Sequence, residues 1–139
     1  MVTTGANSDE EAAVSVANRS FYDAFEAEDF DTLSSLWEHS DRVQCVHPHW
    51  STLRGWAEVG ASWKAMIEGP ARLQFVLTNE HVEVQGDIAW VTVDENIIGE
   101  GPSATVAALN IFARGEDDKW RMIAHHGSAI MMPVPRNQL

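Results

Sequence analysis

Six histidines stand in this sequence, and five of them, His47, His49, His81, His125 and His126, fall in or beside stretches that read as β-strand. Imidazole is the side chain that gains and loses a proton near neutral pH, so this cluster points to acid/base chemistry or to a metal. A metal site needs three or four convergent ligands, usually with thiolate or carboxylate help. Neither HExxH nor CxxC spacing is present, so no metal is expected. His47 and His49 flank Pro48, whereas His125 and His126 are adjacent and must face opposite sides of a regular strand. Alternation groups His126 with Trp120, Met122 and Ala124, and His125 with Arg121 and Ile123. The first set is the more apolar, which makes His126 the histidine expected inside; a rim histidine satisfied by a hydrogen bond is the alternative.

Other residues compete for a role. Asn110 interrupts the apolar run Val106 to Phe112, and a buried amide must find partners or cost about 1–3 kcal/mol. It therefore ties down a neighbour or faces a polar spot in a cavity. Asp94-Glu95-Asn96 poses the same question, with Glu95 on one side of its strand and the other two opposite; the pattern leaves open which side is inside. Trp50, Trp56 and Trp63 cluster around the His47-Pro48-His49 segment, where flat rings serve equally as core or as walls for a planar ligand. Cys45 shares a strand face with His47, but no oxyanion site is visible beside it, so inert packing is its expected role. GxSxG, glycine-rich phosphate loops and dinucleotide fingerprints are all missing.

The elements that must position these groups follow from periodicity. Ser8 and Glu11 have the spacing of a capping box, and Ala13, Ala17, Phe21, Ala24 and Phe25 recur on one helical face, predicting a first helix over residues 9–28. Residues 29–37 read as a shorter helix forming a hairpin with the first. Residues 42–47 alternate, with Val43, Cys45 and His47 on one side, before Pro48 ends the strand. Trp56, Val59, Gly60, Trp63 and Ile67 restore helical spacing over residues 55–68, stopped by Gly69-Pro70. From there the runs 72–85, 87–99, 103–114 and 119–128 are β-rich and separated by turn residues. Helices first and an antiparallel meander afterwards make an α+β fold, with three helices packed on one face of a highly curved sheet that encloses a cavity.

A chain of 139 residues fits one domain, here residues 1–139, with about 1–8 and 133–139 as loose ends. Nine Lys plus Arg against 21 Asp plus Glu leave a net charge of −12, which disfavours nucleic acid and anionic membrane surfaces as partners. Ten of the 21 acids and one base, Arg19, fall in the first 41 residues, as the solvated face of surface helices or as an acidic docking surface. One cysteine suits a reducing compartment, and neither leader nor membrane span is apparent, so a soluble cytoplasmic protein is expected.

Particular phrases resemble a known family. The run from Phe21 to Asp31, then Leu36-Trp37, then a strand ending in His47-Pro48, is similar to the NTF2-like superfamily. Cys45-Val46-His47-Pro48 followed by Trp50, Leu53, Gly55 and Ser62-Trp63, with Trp120-Arg121-Met122 and His125-His126-Gly127-Ser128 near the end, resembles its SnoaL-like branch. The resemblance covers residues 10–132. It implies a cone-shaped, highly curved antiparallel sheet wrapped on three helices, the cystatin-like α+β barrel, paired into a homodimer through the outer sheet face.

Its steroid isomerases use a helix tyrosine and a protonated aspartate as oxyanion donors and an aspartate before a proline as base. Motif matching puts these at Phe21, Asn110 and His47. Phe21 has no hydrogen to donate, so the resemblance implies dehydratase- or cyclase-like proton transfer instead. His47 is then the general base, with Asn110 and His126 as orienting or polarising groups. Trp50, Trp63, Phe21 and Trp56 would wall in a small hydrophobic cyclic carbonyl compound, with no cofactor. The other reading is a non-catalytic ligand-binding or association module on the same fold.

Overall fold

The computed structural model describes residues 4–99 and 101–132. In chain order the elements are α1 (Thr4–Glu26), α2 (Phe30–Ser35), β1 (Gln44–Val46), β2 (Leu53–Arg54), α3 (Trp56–Glu68), β3 (Gln74–Gln85), β4 (Ile88–Ile98), β5 (Ala104–Arg114) and β6 (Trp120–Ala129). α1 begins earlier than its capping signal, so Ser8 lies inside the helix rather than at an extended cap, and residues 4–8 are helical rather than loose. No proline stands there to stop it, and Gly5 costs a helix only about 1 kcal/mol. The expected loose end at residues 133–139 lies outside the described residues. The helix buries Val14, Asn18, Phe21, Tyr22 and Ala24, so Phe21 and Ala24 of the expected stripe are inside, the stripe is shifted to take in Asn18 and Tyr22, and Ala13 is exposed.

Asp29 caps α2 by accepting from the Thr32 N–H at 3.1 Å. Eight of the ten acids of the first 41 residues are exposed, five of them on α1 and α2, in keeping with a solvated surface. Gly55, at φ 81 and ψ 150, opens α3 in a backbone region essentially reserved for glycine.

One six-stranded sheet runs in the order β2-β1-β6-β5-β4-β3. β3 to β6 form the expected meander, but the sheet is mixed because β1 lies parallel to β6. The parallel ladder starts before β1: the Met122 N–H donates to the Leu36 carbonyl at 2.8 Å and the Glu38 N–H to the Met122 carbonyl at 3.0 Å. The chain leaving α2 is thus already aligned with β6 when it enters the sheet. α1 and α3 fill the concave face, meeting it in a core built around Phe21, Trp37, Trp63, Phe112 and Met122. Among the described residues no helix is long and apolar enough to cross a membrane.

One irregularity governs the site. Phe112 pairs with Met122 but Ile111 pairs with Ala124, so Ile123 is an extra residue on β6. Such a bulge reverses the alternation beyond it. Trp120 and Met122 point inward before it, and His125 and Gly127 do so after it.

Candidate active site

Val43, Cys45 and His47 are all buried, as their alternation predicts, and the first inward residue after β1 is His47 at 2% exposure. Pro48 follows and packs its ring over Gly127, so the strand ends with the imidazole turned into the fold. α3 brings Trp63 edge-on to His47, 4.6 Å between ring centres, and places Ser62 beside it. The Ser62 hydroxyl has one proton and gives it to the Val59 carbonyl at 2.7 Å. Its oxygen therefore accepts from His47 Nε2–H at 2.9 Å, which fixes the tautomer and leaves Nδ1 unprotonated, with only the weak thiol donor of Cys45 at 3.9 Å beside it.

His125 is the second inward imidazole. The register Val91–Asn110–His125–Cys45 sets it beside Asn110 across neighbouring strands. Asn110 Nδ2 donates to Asn18 Oδ1 at 2.8 Å and to the Tyr22 hydroxyl at 3.0 Å, so its Oδ1 accepts from His125 Nδ1–H at 2.5 Å. The proton is pinned on Nδ1, and the bare Nε2 lies 4.0 Å from Glu95 Oε2. The Tyr22 hydroxyl donates to the same carboxylate oxygen at 2.6 Å. Two imidazoles, a carboxyl and a phenol thus line one concave space of about 130 Å3, walled by Phe21, Phe25, Trp63 and Phe75.

Burial sets the charge states. It pulls the His47 imidazole down to about 4, and, helped by the neighbouring His47 and His126, pulls His125 down to about 3. It pushes the Glu95 carboxyl up to about 7 against the Tyr22 hydrogen bond, which acts the other way. Burial and the adjacent Glu95 charge raise Tyr22, and burial first, then Glu95, pushes the Cys45 thiol up to about 12. Near neutral pH the space therefore holds two free imidazole bases and a carboxyl able to give or take a proton. Cys45 stays a thiol, as inert packing requires.

The Glu95 shift has a measurable consequence. An unfolded glutamate ionises near 4.5, and Glu95 in the fold near 7. Between those values the folded chain keeps a proton that the unfolded chain has released, so stability from this group falls as pH rises. At about 1.4 kcal/mol per pH unit the loss is about 3 kcal/mol. In urea unfolding, the stability of wild type minus Glu95→Gln is expected to fall by that amount from pH 4.5 to 7.5. His47 and His125, held neutral, act oppositely below pH 6.5, but their contribution cancels in the difference. A flat difference would mean that the carboxylate is solvated.

The residues expected from the sequence divide. His47, Trp63 and Phe21 line the cavity. Asn110 is fully buried behind it, where it orients His125 and Tyr22 rather than facing the space. His126 is corrected to the outer sheet face, because the bulge at Ile123 exchanges its place with that of His125. Trp50 is 49% exposed and meets His47 only by its edge from outside, since His49 turns the chain at φ 72. Trp56 stacks on His39 at 4.4 Å, away from the cavity. Tyr22, Glu95, His125 and Ser62 were missed. For Glu95 a signal existed: Val91 and Val93 share its parity, and two valines with inward spacing put Glu95 inside and Asp94 out. Among the described residues no group of three or more His, Cys, Asp or Glu side chains is placed to hold a metal.

A crystal structure of a candidate dehydratase from the NTF2-like family of Streptomyces avermitilis is 39% identical, with a TM-score of 0.83 over 90% of this chain and 99% of that one. A candidate calcium/calmodulin-dependent protein kinase type II association domain from Thiobacillus denitrificans is 36% identical, with a TM-score of 0.69 over 83% of this chain and 93% of that one. The F-box protein SKIP8 of Arabidopsis thaliana is 24% identical over 120 residues, 86% of this chain, which spans about half (51%) of that protein. The family model for the SnoaL-like domain matches residues 14–133, from the first buried valine of α1 to just past β6. That match covers most of the chain, and the chain belongs to the SnoaL-like domain family.

Proposed function

We propose that the protein is a cofactor-independent lyase or isomerase that moves a proton beside the carbonyl of a small, hydrophobic, cyclic compound. The observation that carries this is the pair of neutral imidazoles, each with its proton tied to a protein acceptor and the other nitrogen unprotonated. His47 Nδ1 is the base that takes the α-proton. His125 Nε2, Glu95 and Tyr22 form the polar end, with Glu95 able to return a proton because its carboxyl ionises near neutral pH. Asn110 and Ser62 hold the tautomers. The 39% identical candidate dehydratase supports the same class of chemistry. A buried free thiol at Cys45 suits a cytoplasmic setting.

The test is α-hydrogen exchange of cyclohexanone in D2O followed by proton NMR. Exchange at least tenfold above buffer is expected, and a buffer rate across a panel of cyclic ketones sinks the reading. A second reading, an association module, is favoured by the 36% identical candidate association domain. Pairing belongs to both readings. We take the outer face, where Thr92, Leu109 and His126 align across three strands around a shallow concavity, as the homodimer surface. Light scattering is then expected to give twice the 15.4 kDa chain mass. A dimer without exchange on any ketone is the outcome that selects the module.

A further inference from the structure

The dimensions and polarity of the cavity say more about its ligand than the residue types do. A space of about 130 Å3 holds one ring, since apolar cavities of about 150 Å3 in other proteins take up benzene. Its walls, Phe21, Phe25, Trp63 and Phe75, are flat and apolar, which suits one planar or near-planar ring and leaves little room for a second.

The polar end is specific in another way. His125 Nε2 and Glu95 Oε2 face each other at 4.0 Å, too far to bond directly and the right distance for one oxygen to touch both. Nε2 is a bare acceptor, because Nδ1 carries the proton. An oxygen touching both donates to Nε2 while accepting from a protonated Glu95; against an ionised Glu95 it turns its one hydrogen to the carboxylate and away from Nε2. A hydroxyl does either; a carbonyl or ether oxygen has no hydrogen to donate.

Charge narrows the class further. Among the described residues no Lys or Arg lines the cavity, and with both imidazoles and Tyr22 neutral, Glu95 from β4 is the one described lining group that is charged in mild base. Tyr22 faces it from α1, His125 from β6 and His47 from the end of β1, none of them a cation. The adjoining groove carries Glu26, Glu28 and Arg72, the last two paired with each other, and so offers the cavity no free cation among the described residues. A carboxylate ligand would meet repulsion and no counter-charge.

We propose that the cavity takes a single six-membered ring, uncharged and bearing a hydroxyl group, and that the hydroxyl is seated on Glu95 Oε2 beside His125 Nε2. This rests on the cavity being the working site of the proton-transfer reading, and it names the substrate class of that site.

Calorimetric titration at pH 8 with phenol, toluene, benzoate, benzylamine and 2-naphthol tests it. Phenol is expected to bind at least tenfold more tightly than each of the others. Glu95→Leu is expected to bring phenol down to the toluene level. Glu95→Gln, which keeps the shape of the side chain should the leucine variant not fold, is expected to strengthen benzoate at least fivefold.

Toluene equal to phenol overturns the hydroxyl seat, 2-naphthol equal to phenol overturns the one-ring limit, and benzoate or benzylamine equal to phenol overturns the selection for neutral ligands. Cyclohexanone exchange measured on the same protein separates the two ideas. Phenol selectivity without exchange supports the ligand class and removes the proton-transfer reading. Exchange without phenol selectivity overturns the ligand class alone.

Discussion

Replacing Asn110 by leucine is expected to destabilise the fold by about 4 kcal/mol, the largest loss from any single polar residue of the site. Leucine keeps the branched shape of asparagine but is the larger side chain, so no cavity is left and some overpacking adds to the loss. What goes is a junction: Asn110 Nδ2 serves Asn18 Oδ1 and the Tyr22 hydroxyl, and Oδ1 serves His125 Nδ1. All four residues are buried, Asn110 and Asn18 completely. Each group left without a partner costs about 1–3 kcal/mol, and Asn18 Nδ2 already has no partner among the described residues. Urea denaturation at pH 7 reads the change. A loss below 1 kcal/mol would show that the network is loose and that the His125 tautomer is not held by it. Asn110→Asp separates the two ends, because a carboxylate still accepts from His125 but turns an acceptor toward Asn18 Oδ1.

The same junction explains why the frame of this protein is plainer in its sequence than its site. Helices and strands announce themselves through apolar periodicity, and α3 and the four long strands fall within two residues of the expected bounds. His47 and Trp63 were legible for that reason: one sits on the inward parity of a short strand closed by Pro48, the other on the apolar stripe of α3. Tyr22 was not, because the buried stripe of α1 runs through Asn18 and Tyr22, and a reading that counts only apolar residues turns the helix to Ala13 and Ala17 instead. Hydrogen bonding makes those polar positions tolerable inside, and that partner lies 88 or more residues away at Asn110. His125 was misplaced by one residue of backbone. Nothing in Met122-Ile123-Ala124 announces a bulge, since it arises from how β6 must follow both β5 and the parallel ladder of β1. Trp50 and Trp56 show the converse error, for Trp50 touches His47 from outside the cavity once His49 turns the chain, and Trp56 packs on His39.

The second large effect is on chemistry. With His47→Ala the exchange of cyclohexanone α-hydrogens is expected to fall by about 10²–10⁴-fold, the usual contribution of a positioned base. Stability should change far less, by about 2 kcal/mol, because Ser62 keeps the Val59 carbonyl as partner and only the contact to the imidazole is lost. His47→Gln sharpens the test. Its amide can still donate to Ser62, so folding is expected to stay close to wild type, yet it has no basic nitrogen and exchange should be lost to the same degree. The imidazole is uncharged down to about 4, so the wild-type rate owes nothing to titration of His47 between pH 5 and 8. Any pH dependence in that window belongs to Glu95, whose carboxyl passes from donor to acceptor near 7. If His47→Gln retains exchange while His125→Gln abolishes it, the base is Nε2 of the second imidazole, and Glu95, 4.0 Å away, becomes its proton partner. If both variants retain exchange, proton transfer does not run through the imidazoles.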